Sequence, residues 1–174
     1  MPTTLPGLRS RKAGPAQAKA KVKSVMLLVF SVGGRRMAAR ASDVSGIWPW
    51  TDVVPVPSGT PHINAVFKRG EDILPVFDLA GRLSVQVKGA ALLCLIAKRK
   101  DGLMAVCIDG DIPTLQSISE ESIRPVAWKD SDVIGTCRIE AEELPVYSLA
   151  HLGLNAMRSL DGESGGSYAK SSRS

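Results

Sequence analysis

The sequence is poor in aromatic residues and contains no long hydrophobic run. Aromatic residues make up 5% of the 174 residues, so aliphatic side chains must fill any core. The longest apolar run, residues 25–32, has the length of a strand, whereas a membrane helix needs about 20 apolar residues. This run is also too short, and too far into the chain, to be the core of a signal peptide. These absences predict a globular domain with neither a membrane-spanning nor a secretory segment.

Motifs for metal, phosphate or nucleophile chemistry are also missing. The two histidines, His62 and His151, lie far apart, and no HExxH, CxxC or GxGxxG pattern occurs. Cys94, Cys107 and Cys137 each stand in an apolar run, where a free cysteine is a small buried hydrophobe. We therefore expect no enzymatic activity, no metal and no cofactor, and a reducing, cytoplasmic location.

The net charge of +5 is concentrated near the beginning of the chain. Residues 1–24 hold six basic residues and no acidic one, whereas residues 25–154 hold 13 basic and 15 acidic residues. Low-complexity composition predicts a disordered basic tail over residues 1–24, and a helix end followed by a second disordered tail over residues 155–174. The domain between them, residues 25–154, is nearly neutral, which argues against a nucleic-acid-binding face. A small β-barrel that binds nucleic acid with the help of the basic tail stays an alternative function.

Short strands separated by turns are predicted between the tails. Apolar and β-branched runs are bounded by Gly-Gly, Arg-Gly, Asp-Gly and acidic turn residues, which is typical of small barrels or a sandwich. The predicted strands cover residues 25–32, 35–41, 63–68, 73–77, 90–98, 103–108, 133–139 and 144–147. Helical signals are short and cover residues 41–47, the residues after Asp78, and residues 119–123 and 149–160. The fold class is therefore predicted to be all-β, with short helices in the connections and at the C-terminus.

One strand–turn–strand segment occurs twice. Residues 63–80 align with residues 133–150, and both copies contain Leu-Pro-Val, an aromatic residue, one variable residue and Leu-Ala. The repeat predicts two lobes built alike, with Pro75 and Pro145 at equivalent edges or bulges. The variable residue is Asp78 in one copy and Ser148 in the other, so the paired aspartates of an aspartic protease are absent. Asp78 is instead predicted to cap the short helix that follows it.

Several short segments, in their order along the chain, resemble the CheW-type chemotaxis adaptor domain. They are an apolar pair at Val44 and Ile47, a proline-containing loop at residues 54–57, an Arg-Gly turn at Arg69, and ILPVFDL at residues 73–79. AVCIDG at residues 105–110 is similar to the family's Gly-apolar-apolar-Val-Asp strand, and SIRP at residues 122–125 also fits. The resemblance covers about residues 24–154 and agrees with the internal repeat.

This resemblance implies both a fold and a function. The implied fold is two SH3-like five-stranded barrels packed on a shared core. The implied function is a non-catalytic signalling adaptor, which links the cytoplasmic hairpin tips of chemoreceptors to the regulatory domain of a CheA-type histidine kinase. Such a protein would work in the cytoplasm, in contact with membrane-bound receptor arrays but without inserting into the membrane.

The resemblance also implies a receptor-binding site, formed by Val44, Ile47, Arg69, Gly70, Leu92 and Leu93. A guanidinium on a tight turn beside apolar strands suits a helical hairpin that offers carboxylates or carbonyls, although Arg69 could equally solvate a loop. Gly70 would provide the backbone geometry of the turn. Ordinary core packing is the simpler interpretation of Leu92 and Leu93.

The sequence departs from the family pattern in places that bear on the choice of partner. Gly46 stands where the family usually has an acidic residue, and Asn64 and Ala105 stand where it usually has glycine. These departures favour a divergent member in a non-flagellar pathway, such as one that controls type IV pili. Trp48 and Trp50, on either side of Pro49, would either anchor a partner or cover one end of a barrel, and the cover is favoured because tryptophan usually buries most of its surface.

Overall fold

The computed structural model of the protein describes residues 21–127 and 129–154. The predicted tails and the end of the predicted C-terminal helix lie outside the described residues, apart from residues 21–24, which lead into the first strand. Within the described ranges, no helix is long and apolar enough to cross a membrane.

Strands dominate the described part of the chain. They are β1 (Ser24–Val32), β2 (Arg35–Arg40), β3 (Val44–Pro49), β4 (Val53–Pro55), β5 (Ile63–Arg69), β6 (Asp72–Phe77), β7 (Leu93–Arg99), β8 (Gly102–Ile108), β9 (Thr114–Ser119), β10 (Val133–Ile139) and β11 (Glu142–Tyr147). The helical elements are α1 (Leu79–Arg82) and three single 3-10 turns, at Ala41–Asp43, Glu120–Ser122 and Leu149–His151. The predicted all-β fold with short helices is confirmed.

The strands form two curled sheets, which we call the terminal lobe and the central lobe. The terminal lobe has the strand order β10-β11-β2-β1-β9, and the central lobe has the order β3-β7-β8-β6-β5-β4. The chain therefore leaves the terminal lobe after β2, builds the whole central lobe and returns at β9. The terminal lobe has the expected five strands, whereas the central lobe has a sixth, the three-residue β4 at its edge.

The predicted repeat is a pair of hairpins with the same register. Pro75 lies opposite Val66 in β5–β6, and Pro145 lies opposite Thr136 in β10–β11, each hairpin having a bulge at its open end. Parallel pairing with a third strand begins one residue after each proline. Each proline thus stands where the second side of its strand is still unpaired, so its missing N–H removes no ladder bond on that side.

Three apolar clusters form the core, one between the lobes and one inside each lobe. The strand β1 is apolar on both faces because its alternate side chains point to different clusters. Leu28 and Phe30 enter the core shared between the lobes, whereas Leu27 and Val29 fill the interior of the terminal lobe. A third cluster, which includes Phe67, fills the interior of the central lobe. The shared core therefore lies between the two sheets, as the resemblance implies.

The prediction of a helix over residues 41–47 is wrong. Ala41–Asp43 forms one 3-10 turn, and Val44–Pro49 forms the edge strand β3, which pairs with β7. The strand β9, at the edge of the terminal lobe, was not predicted. Both edge strands are specified by pairing with a partner distant in sequence, because strand formation depends more on neighbours than on local preference.

Asp109, directly after β8, joins the central lobe to the β1–β2 turn. Its Oδ1 accepts hydrogen bonds from the backbone N–H groups of Gly33 and Lys88, both at 2.8 Å, and its Oδ2 accepts one from Gly34 at 2.7 Å. The residue is 1% exposed. Three backbone donors therefore satisfy a buried carboxylate that would otherwise be costly.

A second junction links α1 to the loop that precedes β10. Arg82 forms ion pairs with Asp132 and with Asp130, the latter at 2.7 Å, and its guanidinium lies over the ring of Phe77. Asp132 is fully buried and also accepts a hydrogen bond from the backbone N–H of Gly153 at 2.9 Å. Because Arg82 follows a central-lobe strand and Asp132 precedes a terminal-lobe strand, these ion pairs fix the lobes relative to each other.

Candidate functional site

The edge strand β3 carries two of the six predicted site residues. Val44 is half-buried against the shared core, and Ile47, which lies opposite the core residue Leu95, is 39% exposed. A bulge between Val44 and Gly46 keeps Val44 and Ile47 on the same face of the strand. The strand β3 therefore presents a partly accessible apolar edge beside the shared core.

Leu92 and Leu93 stand at the beginning of β7, next to β3. Leu93 lies opposite Pro49 and packs against the shared core. The backbone carbonyl of Leu92 accepts a hydrogen bond from the N–H of Trp50 at 3.0 Å. Both leucine side chains are half-buried. Leu93 thus extends the apolar face formed by Val44 and Ile47, while Leu92 also holds the end of β3 through its backbone.

Arg69 and Gly70 form the tip of the β5–β6 hairpin. Gly70 has a φ of +61°, and a Cβ at this position would meet nothing within 4 Å, so glycine favours the backbone conformation of the turn and is not needed for space. The repeat equivalent, Glu140, also has a positive φ, 55°, but Ala141 after it has a φ of 88°, so the two hairpin turns differ at their second residue. The side chain of Arg69 is 24% exposed and pairs with Asp72 at 3.2 Å.

Trp48 connects Arg69 to β3. The guanidinium carbon of Arg69 lies 5.5 Å from the centroid of the Trp48 ring, within the range of a cation–π interaction. Trp48 is 44% exposed, and because it alternates with Ile47 its side chain leaves the other face of β3. The predicted residues are therefore arranged around one edge strand, with the apolar ones on one face and Arg69 beyond the other. The mistaken helix over residues 41–47 hid this alternation.

The two tryptophans of the Trp-Pro-Trp segment have different environments. Trp50 packs against the interior of the central lobe and stacks on Phe67, with ring centroids 6.2 Å apart and an interplanar angle of 11°. Trp50 therefore covers the lobe as predicted, whereas Trp48 remains accessible to a partner.

The polar residues that could perform chemistry are engaged in the fold. Asp78 Oδ1 accepts a hydrogen bond from the N–H of Gly81 at 2.8 Å, which confirms the predicted helix cap. The Oγ of Ser148 is hydrogen-bonded to Nδ1 of His151 at 2.9 Å. Across residues 21–127 and 129–154, no cluster of three or more His, Cys, Asp or Glu side chains could hold a metal ion.

The cysteines lie in apolar surroundings. Burial raises the pKa of Cys94 and of Cys107 to about 12, and the neighbouring Cys107 thiol and Asp109 carboxylate, respectively, add to these shifts. Burial also raises the pKa of Cys137. Because the thiolate is the nucleophile, the raised pKa values lower the reactivity of these thiols at neutral pH. Cys94 and Cys137 are buried, as predicted for small hydrophobes, whereas Cys107 is half-buried and lies near Asp109.

Two clefts lie away from β3. One, of about 490 Å³, has a floor formed by Met37, Leu83, Pro145 and Tyr147. The other, of about 680 Å³, is mostly polar and surrounds Thr136. Neither contains any of the six predicted residues. The candidate site is thus an exposed strand edge and hairpin tip, which suits a protein partner better than an enclosed small molecule.

Comparison with known proteins identifies the family. The family model described as CheW-like domain matches residues 26–152. The crystal structure of the scaffolding protein TtCheW from Thermoanaerobacter tengcongensis is similar, with a TM-score of 0.67 and 18% sequence identity over 75% of this chain and 88% of that chain. This likeness shows a shared fold, and no curated protein matches the sequence. Because the match spans nearly all of the described residues, the chain belongs to the CheW-like domain family, whose members are non-catalytic chemotaxis scaffold adaptors.

Proposed function

We propose that this protein couples chemoreceptors to a CheA-type histidine kinase as a non-catalytic adaptor. The observation that carries the proposal is the family match over residues 26–152. An adaptor of this kind needs two binding surfaces held at a fixed separation, and it works in the cytoplasm beside membrane-bound receptor arrays. The ion pairs and the shared core that join the lobes are suited to keeping such surfaces in a constant arrangement.

The proposed receptor-binding site consists of Val44, Ile47, Leu92 and Leu93, with Arg69 and Gly70 beyond the edge strand. An amphipathic helix presents apolar side chains at regular spacing, and these can pack along a partly exposed apolar strip. Carboxylates on the flanks of the same helix suit the planar guanidinium of Arg69, which can hold two oxygens at once.

We place the pathway outside flagellar chemotaxis, for example in the control of type IV pili. Gly46, in the edge strand β3, and Asn64, at the opposite end of the β5–β6 hairpin from Arg69, depart from the family pattern, and each has a local consequence. A Cβ at Gly46 would come within 3.3 Å of Nε1 of Trp48, and Nδ2 of Asn64 donates to Asp78 at 3.5 Å. Pilus genes beside the gene for this protein would support the assignment, and flagellar genes in their place would contradict it.

Co-sedimentation tests the adaptor function directly. Full-length protein is mixed with receptor-containing membranes, with and without a CheA-type kinase from the same organism. Recruitment of the protein by both partners is expected, and recruitment by neither overturns the proposal. A gel shift at moderate salt examines the nucleic-acid alternative; binding that disappears when residues 1–24 are deleted would show an effect of the tail alone.

Arg69→Ala tests the receptor-binding site, with Lys68→Ala as the matched control. Both substitutions remove one cation from the same strand, but only Arg69 contacts Trp48 and Asp72. Losing a charge-assisted hydrogen bond to the receptor should weaken receptor binding about tenfold or more, while kinase binding and thermal stability stay unchanged. Equal weakening by Lys68→Ala would show that general electrostatic attraction, and not a site at Arg69, is responsible.

A further inference from the structure

The ring of Trp48 lies close to Gly46, which has no Cβ. Gly46 and Trp48 lie on the same face of β3, and a Cβ built at Gly46 would come within 3.3 Å of the indole Nε1. The indole therefore lies along its own strand across the glycine, with Arg69 on it at 5.5 Å. A Cβ at position 46 would require the ring to shift by a few tenths of an ångström.

The guanidinium of Arg69 is contacted by Asp72 at one edge and by the ring of Trp48 on one face. Its Nη2 donates to Oδ2 of Asp72 at 3.2 Å, and among the described residues the guanidinium makes no other hydrogen bond. The Asp72 side chain is 64% exposed, so this ion pair is weak and water can replace it. Most of the donors of Arg69 therefore have no acceptor among the described residues, and an incoming acceptor reaches them through the 24% of the side chain that is exposed.

We propose that Trp48 and Asp72 are positioning residues for Arg69, and that the partner supplies a carboxylate which takes the place of Asp72. Trp48 holds the guanidinium plane, so that Arg69 loses less side-chain freedom on binding. Asp72 occupies the edge of the Arg69 guanidinium to which a carboxylate on the partner helix would bind. Asp72 therefore competes with the partner for Arg69. This inference rests on the proposed receptor-binding function.

The two residues are predicted to act in opposite directions. Trp48→Ala frees the guanidinium and removes the cation–π contact, which should weaken binding about three- to tenfold. Trp48→Phe keeps an aromatic face and should stay within about threefold of the unchanged protein. Asp72→Asn removes the competing charge with little change of shape, and it should tighten binding about two- to fivefold. A residue that only stabilised the hairpin would not produce this gain.

The experiment measures the dissociation constant of the full-length protein for one probe, the soluble cytoplasmic hairpin fragment of a chemoreceptor from the same organism. Glu71→Gln is the matched control for Asp72→Asn, because it removes one negative charge from the adjacent exposed position. Its affinity should change less than that of Asp72→Asn. All variants are then repeated in an Arg69→Ala background, where Trp48→Ala and Asp72→Asn should have no further effect.

Several outcomes overturn the inference. These are an unchanged affinity for Trp48→Ala, a weaker affinity for Asp72→Asn, and effects of either substitution that persist without Arg69. If the unchanged protein binds the fragment and Arg69→Ala alone weakens binding, the positioning roles fail while the proposed function stands. If the unchanged protein does not bind at all, the proposed function fails and this inference fails with it.

Discussion

Asp109 should contribute more to stability than any exposed carboxylate of this protein. The residue is 1% exposed and is the common acceptor for the backbone N–H groups of Gly33, Gly34 and Lys88. Gly33 and Gly34 form the turn of the terminal lobe, whereas Asp109 follows the last strand of the central lobe. Asp109→Ala would therefore leave three donors without their acceptor and would loosen one of the polar junctions between the lobes.

The size of the effect follows from these three bonds. A hydrogen bond to a charged group contributes about 1.5–3 kcal/mol, and because the three share one carboxylate, their contributions are not fully additive. We expect Asp109→Ala to lower the free energy of unfolding by about 3–5 kcal/mol, a large fraction of the 5–15 kcal/mol of a typical domain. Asp109→Asn should cost about 1–3 kcal/mol, because Oδ1 can still accept from Gly33 and Lys88 while the new amide faces the N–H of Gly34.

Urea denaturation of the full-length protein measures this loss, with Asp111→Ala as the control. Asp111 is an exposed carboxylate two residues away, and its removal should change stability by less than about 0.5 kcal/mol. With a slope of about 2 kcal/mol/M, Asp109→Ala should lower the midpoint by about 1.5–2.5 M. Hydrogen exchange should also become faster at the amides of Gly33, Gly34 and Lys88. If the midpoint fell no more for Asp109→Ala than for Asp111→Ala, the carboxylate would not be the junction described.

Two further predictions concern the other junction and the buried thiols. Arg82→Ala should lower the free energy of unfolding by about 3–5 kcal/mol, because it leaves Asp132 buried without its cation. Urea denaturation measures this loss, with Arg35→Ala, at an exposed position, as the control. Equal losses of stability in the two variants would contradict the prediction. The free energy of unfolding should also fall between pH 9 and pH 12, because the pKa of Cys94 and Cys107 rises from 9.0 to about 12 on folding. In that range the unfolded chain releases thiol protons that the folded state retains, so this contribution is present below pH 9 and lost above it. Urea titrations from pH 8 to 11 should show a shallower decline for Cys107→Ala, and an identical decline would contradict the assignment.

Local chemistry in the sequence was enough to predict eight of the eleven strands, the repeat and the cap. The hairpin around Pro75 and its copy around Pro145 are each specified by residues adjacent in the chain, so alternation and turn residues reveal them. Asp78 caps a helix that begins at the next residue, which is also a local arrangement. The resemblance to the CheW-type domain depends on the order of such local segments along the chain. It therefore allowed the two-lobed fold to be predicted as well.

Tertiary structure alone decided how the lobes are assembled and what surrounds Arg69. The terminal lobe is built from both ends of the described chain, and its β1–β2 turn is held by Asp109, 76 residues away from Gly33. Edge strand β3 forms because β7 pairs with it, and only then does the alternation of Ile47 and Trp48 place the indole under Arg69. Short-range preferences carry no information on such long-range pairings, because the same segment can form a helix or a strand, depending on the segments that pack against it. The sequence alone therefore determined the repeated hairpins and the Arg-Gly turn, and packing between distant segments decided what that turn presents to a partner.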